Sequence, residues 1–194
     1  MLFNKHNLNV AKIADAICSR EEMTSVLFTK NLTCATNGYR LLEVSVDESL
    51  KVEDYPETPQ GSAMRGCSPF LVPAKTVEGL KVAGAKGIPV TQCVAVKHVD
   101  GQKVEFLTTD LETARVVQAR RIDAKFPDYE RLFPQDKPVA EIMVNGELLS
   151  ELVKIMAGLK KEVRVKFYGG ERPLVLECGT PSQKARGLLM PIRQ

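Results

Sequence analysis

The sequence lacks the patterns that mark most enzymes and metal proteins. It has no tryptophan and only 6% aromatic residues, so no platform for stacking nucleic-acid bases is indicated. Its two histidines, His6 and His98, have no ligand pattern beside them, and we expect no metal site. Asp110 and Glu112 have no histidine or basic partner. Phosphate loops, nucleophile elbows and kinase signatures are absent, and we expect no cofactor, no catalytic residue and no enzyme.

Cysteine pairs, long apolar runs and excess charge are also missing. The five cysteines are an odd number without Cys-x-x-Cys spacing, which argues against a disulfide framework and fits a reducing cytoplasm. No run is long enough to span a membrane, and the first six residues are not followed by the apolar segment of a secretory signal. The net charge of +3 permits a nucleic-acid surface without requiring one.

A repeated order of elements is present instead: a strand, a helix and three strands. The first repeat has predicted strands at 1–3, 23–29, 32–35 and 40–46 and a helix face of Val10, Ile13, Ala14 and Ile17. The second has strands at 68–72, 89–98, 103–108 and 112–122 and a helix from Pro73 through Ala83. The third has strands at 140–144, 162–168, 173–178 and 186–192 and a helix after Asn145. The period is roughly 60 residues, which predicts an α+β fold of repeated units with antiparallel sheets.

Local signals predict how these elements begin and turn. Asn7 or Asn9 is expected to cap the first helix, and Asn145 the third. Asn37-Gly38 predicts a type I′ hairpin turn. Residues 47–66 are acidic and contain proline, and they read as a long surface loop.

The segment 125–134 is a hinge. Pro127 and Pro134 bracket it, and it carries Phe126, Tyr129, Leu132 and Phe133. The two prolines exclude a helix or a central strand. A solvated linker would be rich in glycine, serine or charge, so this apolar connector is expected to lie against other parts of the protein.

Three separated segments resemble the bacterial DNA sliding clamp, the beta subunit of DNA polymerase III. They are the hairpin Ala35-Thr36-Asn37-Gly38-Tyr39-Arg40-Leu41, the hinge Phe126-Pro127-Asp128-Tyr129 and the ending Met190-Pro191-Ile192-Arg193. Residues 1–134 resemble the middle domain of the clamp, and residues 138–194 the second half of its last domain. The resemblance implies the DNA clamp fold and a protein without catalytic activity.

In that family, a pocket between the middle domain and the C-terminal tail receives short apolar motifs of DNA polymerases and repair proteins. The resemblance carries this role to Met23, Thr36, Gly38, Tyr39, Arg40, Leu41, Pro127, Arg131, Leu132, Leu188, Met190, Pro191, Ile192 and Arg193. It also implies helices that face double-stranded DNA, with Lys12, Lys75, Lys81, Lys154 and Lys161 as the candidate contacts. Acidic residues share those helices, so a solvated face of mixed charge is the alternative.

Two functions stay open from the sequence. One is a clamp-like processivity factor that binds DNA and tethers replication or repair proteins. The other is a non-encircling peptide-binding module, or decoy, that competes for clamp-binding motifs.

The third helix has two adjacent apolar rows, Leu148/Leu152/Ile155/Leu159 and Leu149/Val153/Met156, which is a wider stripe than one small sheet needs. We therefore predict a cytoplasmic homo-oligomer, with a dimer favoured over a tetramer.

Overall fold

The computed structural model describes residues 1–82 and 87–192. The chain divides into two compact units, Met1–Asp128 and Tyr129–Gln194, which we call the N-terminal and C-terminal units. The boundary falls inside the proline-bracketed segment 125–134. Among the described residues, no helix is long and apolar enough to cross a membrane.

The N-terminal unit contains the first two repeats. The first repeat consists of β1 (Leu2–Asn4), α1 (Lys5–Asn9), β2 (Ser25–Phe28), β3 (Leu32–Thr36) and β4 (Leu41–Ser45). The second consists of β5 (Phe70–Pro73), α2 (Ala74–Glu78), β6 (Cys93–Val99), β7 (Lys103–Thr109) and β8 (Ala114–Arg120). β2 and β6 begin later than predicted, because Glu21–Thr24 and Pro89–Gln92 form short 3-10 helices.

The two repeats exchange their first strands. β1 pairs antiparallel with β6 and completes the sheet β1-β6-β7-β8, while β5 pairs antiparallel with β2 and completes the sheet β4-β3-β2-β5. Each four-stranded sheet is therefore built from both repeats, and the two sheets share one core. The Phe28 ring of β2 lies 5.0 Å from that of Phe3 on β1 and 5.2 Å from that of Phe70 on β5, so aromatic contacts join β2 to both exchanged strands.

The first helix begins earlier than predicted. Its cap is Asn4, which forms a capping box with Asn7, so the prediction of Asn7 or Asn9 as the cap is wrong. The box satisfies the N–H groups of Asn4, His6 and Asn7 and fixes the start of the helix at Lys5. The helix passes into the 3-10 turn Val10–Ile13 and stops, which leaves Ile17 outside it and 94% exposed.

The turn between β3 and β4 is a four-residue loop and not the predicted type I′ turn. Gly38 has a φ of +85°, but Asn37 does not adopt a positive φ, as a type I′ turn requires. Asn37 instead accepts hydrogen bonds from the backbone N–H groups of Tyr39 and Arg40 through its side-chain oxygen. This side-chain turn replaces the backbone turn that the Asn-Gly pair predicted.

The second helix is shorter than predicted. α2 ends at Glu78 with Gly79 as its C-cap, and Ala83, the predicted end, lies outside the described residues. Val77 and Leu80 are buried in the core, as the sequence pattern predicted.

The C-terminal unit contains the third repeat. β9 (Arg164–Lys166), β10 (Leu174–Gly179) and β11 (Lys184–Leu189) form an antiparallel sheet of order β11-β10-β9. α3 (Gly146–Leu159) packs on it, and Asn145 caps the helix by accepting from the N–H groups of residues 147 and 148, as predicted. The approach is close, because a Cβ on Gly187 of β11 would lie 2.9 Å from Leu152 Cδ1 of α3.

Residues 140–144 were predicted to be a strand, and they are not one. In the N-terminal unit, the first strand of each repeat pairs with the sheet of the other repeat. The third repeat has no second repeat beside it within its unit, so this segment has no recipient sheet there. It is held by a hydrogen bond from the backbone N–H of Ile192 to the carbonyl of Met143 at 2.8 Å.

Candidate peptide and DNA interfaces

Local hydrogen bonds hold the β3–β4 loop. The loop carries the predicted peptide-binding residues Gly38, Tyr39 and Arg40, and Thr36 and Leu41 flank it. Thr36 Oγ1 donates to the carbonyl of Arg40 at 2.9 Å and accepts from the N–H of Gly38 at 3.1 Å. The Arg40 guanidinium donates to the carbonyl of Lys12 at 3.3 Å, which ties the loop to the end of the first helical segment. The loop backbone is thereby braced while the Tyr39 side chain is 98% exposed.

Four other predicted residues of this unit are less accessible. Met23 is buried in the 3-10 helix before β2, and Thr36 is buried at the end of β3. Leu41 and Pro127 are half-buried. Tyr39 and Arg40 are therefore the side chains of this set that a ligand can reach without rearrangement.

The C-terminal unit carries the rest of the predicted peptide-binding set. Arg131 and Leu132 lie in the 3-10 turn Glu130–Leu132, and Leu132 is 76% exposed. Leu188, Met190 and Ile192 are 67%, 63% and 48% exposed, and Pro191 between the last two is half-buried. Arg193 lies outside the described residues.

Alternation along β11 explains why Leu188 is exposed. Successive strand residues point to opposite faces of a sheet. Gly187 faces Leu152 of α3, and Leu189 is buried in the core of the unit. Leu188 between them must therefore point to the sheet face opposite α3.

Three lysines surround one groove beside the helices of the N-terminal unit. The groove has a volume of about 1040 Å³, and its lining includes Lys5, Lys12 and Lys81 together with Leu8, Leu80 and the carboxylate Glu78. Lys12 and Lys81 were predicted from the sequence. Lys5 was missed, because the helix was expected to start after it, and recognition of Asn4 as the cap would have identified it.

The other predicted DNA-contacting lysines lie elsewhere. Lys75 is exposed on α2 but does not line this groove. Lys154 is exposed on α3, and Lys161 is exposed two residues beyond the end of that helix. The structure thus gathers two of the five predicted lysines, and one additional lysine, at a single groove.

Ionisable groups in the rest of the N-terminal unit have structural partners. Hydrogen bonds from Lys97 Nζ (2.9 Å) and Gln118 Nε2 (2.8 Å) hold the pKa of Glu105 at about 2. Asp110 accepts from the backbone N–H and the hydroxyl of Thr113, and these bonds lower the pKa of its carboxyl. Asp110 therefore braces a turn.

A charged cluster lies on the sheet of the C-terminal unit. Lys166 Nζ contacts Glu177 at 2.7 Å, Arg186 Nε lies 3.7 Å from the same carboxylate, and these cations lower its pKa. Within the described residues, no group of three or more histidine, cysteine or acidic side chains could hold a metal ion. None of the five cysteines, all of which lie in the described part of the chain, forms a disulfide, and Cys34 and Cys93 are buried.

Known structures share this arrangement of strands and helices. The DNA polymerase sliding clamp of Pseudomonas aeruginosa matches with a TM-score of 0.67 and 16% identity, over 98% of this chain and 50% of the clamp. The DNA polymerase III subunit beta of Borrelia burgdorferi matches with a TM-score of 0.67 and 18% identity, over 98% of this chain and 48% of the other.

The fold is that of the bacterial DNA sliding clamp. The Helicobacter pylori beta clamp also matches, with a TM-score of 0.69 and 12% identity, over the whole of this chain and 51% of the clamp. No protein-family model and no curated protein matches the sequence. The predicted α+β clamp fold is confirmed, and the chain spans about half the length of the clamps that it matches.

Proposed function

We propose that this protein is a non-enzymatic, clamp-like factor that binds the clamp-binding motifs of DNA polymerases or repair proteins and also contacts double-stranded DNA. The sliding-clamp fold supports this role. The observation that carries the peptide-binding part is the exposure of apolar side chains at the positions that the clamp resemblance assigns to partner peptides.

These exposed side chains have the chemistry of an apolar peptide site. Leu188, Met190 and Ile192 lie within five residues of one another at the end of β11, and each is about half exposed or more. Exposed apolar groups that cluster in sequence and structure mark interaction surfaces more often than isolated ones do. The flexible thioether of Met190 suits partners of differing shape.

The expected affinity is modest. Burial of one leucine or phenylalanine anchor stabilises a complex by about 1.5–3 kcal/mol, so two anchors give about 3–6 kcal/mol. A micromolar Kd requires about 8 kcal/mol. Backbone hydrogen bonds to the peptide must supply the remainder, and the complex should form and dissociate readily.

A peptide of the form Gln-x-x-Leu-Phe tests the assignment. Leu188→Ser and Met190→Ser should each weaken its binding at least tenfold in a titration, since anchor residues dominate such interfaces. Ile17→Ser is the matched control, because Ile17 is also an exposed apolar residue but lies outside the assigned set. Equal binding by all three variants would show that the peptide site is wrongly assigned.

The lysine groove supports the DNA-binding part. Lys5, Lys12 and Lys81 place three positive charges around it against one from Glu78. Each phosphate contact contributes about 0.9 to the slope of log K against log salt concentration. The double variant Lys12→Glu/Lys81→Glu should therefore reduce that slope by about 2, while Lys30→Glu, an exposed lysine outside the groove, should leave it unchanged.

The decoy function is a second candidate, because the exposed side chains Leu188, Met190 and Ile192 need no ring around DNA to bind a peptide. Retention on nicked circular DNA that is lost when the DNA is linearised would support encirclement. Peptide binding without such retention would support the decoy. A protein that binds neither the peptide nor DNA would contradict both functions.

A further inference from the structure

The N-terminal unit pairs each exchanged strand in the same register. The residue that caps the helix of one repeat stands opposite the first residue of the recipient strand: Asn4 opposite Cys93, and Pro73 opposite Ser25. The residue before each cap, Phe3 or Val72, stands opposite the second residue of that strand, Val94 or Val26. All four of these core residues are fully buried.

The third repeat contains both a segment before the helix cap and a recipient strand after the helix, but the two do not pair with each other. Its helix is capped by Asn145, and residues 140–144 precede the cap as β1 and β5 precede theirs. β9 corresponds to the recipient strands β2 and β6, which are the first strands after their helices. The sheet order is β11-β10-β9, so the outer edge of β9 pairs with no strand in the described part of the chain.

The segment before the cap is already held on its other side. In β5, Leu71 lies two residues before the cap, and its carbonyl accepts from the N–H of Ile122, beyond the last strand of its own repeat, at 2.9 Å. Met143 also lies two residues before its cap, and its carbonyl accepts from Ile192, beyond β11, at 2.8 Å. The segment 140–144 therefore occupies the same position relative to its own repeat as β5 does.

Two apolar side chains at the unpaired edge of β9 are more exposed than their counterparts in the N-terminal unit. Val165 and Phe167 are 45% and 57% exposed. Val165 is the second residue of β9 and Phe167 directly follows its end, and the residues at the same distances from the start of β2, Val26 and Phe28, are fully buried. Val163, on the same side of the strand, packs on the core of the C-terminal unit, so this is the side that normally faces a core.

We propose that a second copy of this chain completes the C-terminal unit, with residues 140–144 of each copy pairing antiparallel with the β9 edge of the other. The register of the N-terminal unit places Val144 opposite Val165 and Ile142 opposite Phe167. Ile142 and Val144 already pack on the core of their unit, so the new pairs extend that core across the two copies.

Charge and symmetry support a second copy as the occupant. In the same register, Glu141 of one copy and Lys166 of the other lie on the same face of the sheet, as diagonal neighbours on the paired strands. Opposite charges in this arrangement attract each other. The contact is self-complementary, because each copy supplies one segment and one edge, and such contacts close as two-fold dimers. It also covers an exposed strand edge that native proteins normally pair or block. The inference rests on the topology of the repeats and not on DNA or peptide binding.

Light scattering of the full chain across the micromolar range tests the pairing. The wild-type protein should have the mass of a dimer, and Val165→Glu and Phe167→Glu should each have that of a monomer. Both residues are already half exposed, so the substitutions should leave α3 and the N-terminal unit folded by circular dichroism. Val117→Glu, at an exposed valine of strand β8, is the matched control and should stay dimeric.

Hydrogen exchange locates the contact independently. The amides of β9 should be protected at least tenfold more at high than at low protein concentration, and Val165→Glu should abolish the difference. A wild-type protein that is monomeric throughout would overturn the proposal and leave the edge for a different protein. A dimer that survives both β9 substitutions would overturn it as well.

Discussion

Asn7 should be the residue that joins the first helix to the strand pair carrying the candidate peptide loop. It is fully buried, and its side-chain amide donates to the carbonyls of Val44 and Ser45 on β4, both at 3.0 Å. Its own carbonyl accepts from the Thr33 hydroxyl at 2.9 Å. We expect Asn7→Ala to release β4, because these two carbonyls lose their donors.

The Asn7 side chain also donates to Thr33 Oγ1 at 3.4 Å and accepts from the Asn4 N–H at 3.2 Å, but the magnitude is set mainly by the two shorter hydrogen bonds to β4. Each contributes about 0.5–1.5 kcal/mol net, and a partly buried carbonyl left without a donor costs more. Asn7→Ala should therefore destabilise the N-terminal unit by about 2–3 kcal/mol. Since 1.4 kcal/mol corresponds to a tenfold change in an equilibrium constant, exchange of the β3 and β4 amides should accelerate about 30- to 150-fold.

Hydrogen exchange measured by mass spectrometry resolves this effect without a tryptophan probe. The amides of α3 in the C-terminal unit serve as an internal reference, and their exchange should not change. Asn9→Ala is the matched control, because Asn9 ends the same helix and makes no capping hydrogen bond through its side chain. If Asn7→Ala exchanged no faster than Asn9→Ala in β3 and β4, the amide of Asn7 would not be holding the strand pair.

Three further predictions concern the stability of the two units. The pKa of Glu105 is depressed from 4.5 to about 2, so its stabilising contribution is present above pH 4.5 and lost as the pH falls towards 2; the Tm of wild type should drop more in this range than that of Glu105→Gln. Gly187→Val should destabilise the C-terminal unit by about 1–3 kcal/mol, because its Cβ would lie 2.9 Å from Leu152 Cδ1, and α3 amides should then exchange faster while those of the N-terminal unit do not. Tyr55→Phe should cost about 1 kcal/mol in urea unfolding, since the buried hydroxyl donates to the carbonyl of Leu107 at 3.1 Å.

The sequence predicted the elements whose signals are local and strong. The apolar rows and the Asn145 cap identified α3, whose observed range is Gly146–Leu159. The order of elements was also correct in the first two repeats, and in the third from its helix onward, because apolar periodicity and turn residues report the type of each segment. The start of the first helix was missed because three asparagines, at positions 4, 7 and 9, could each act as a cap, and the choice depends on the strand that precedes the helix.

Strand exchange could not be predicted from periodicity. The apolar run Val26, Leu27 and Phe28 indicates that β2 is largely buried, but it does not identify the neighbouring strand. In the structure that neighbour is β5, more than 40 residues further along the chain. The failed prediction at 140–144 has the same origin, because a sequence can form a strand only where a recipient edge is available.

The sequence did not predict which residues of the candidate peptide site are accessible. Tyr39 and Leu188 are exposed as a peptide site requires, whereas Met23 is buried. Met23 lies in a 3-10 turn and not in the predicted strand. Lys5 joined the groove, since the cap at Asn4 made it the first residue of the helix.

Around β9, the burial that the sequence pattern predicts differs from the burial in the structure. Val163, Val165 and Phe167 alternate with Arg164 and Lys166, which is the pattern of a strand with one buried face. The structure buries only part of that face, leaving two large apolar side chains about half exposed. The two repeats of the N-terminal unit show how the chain covers the same positions, with a strand contributed by another repeat. The sequence pattern predicts that Val165 and Phe167 are buried, but in this fold both are about half exposed. This difference identifies the surface that a second copy should cover.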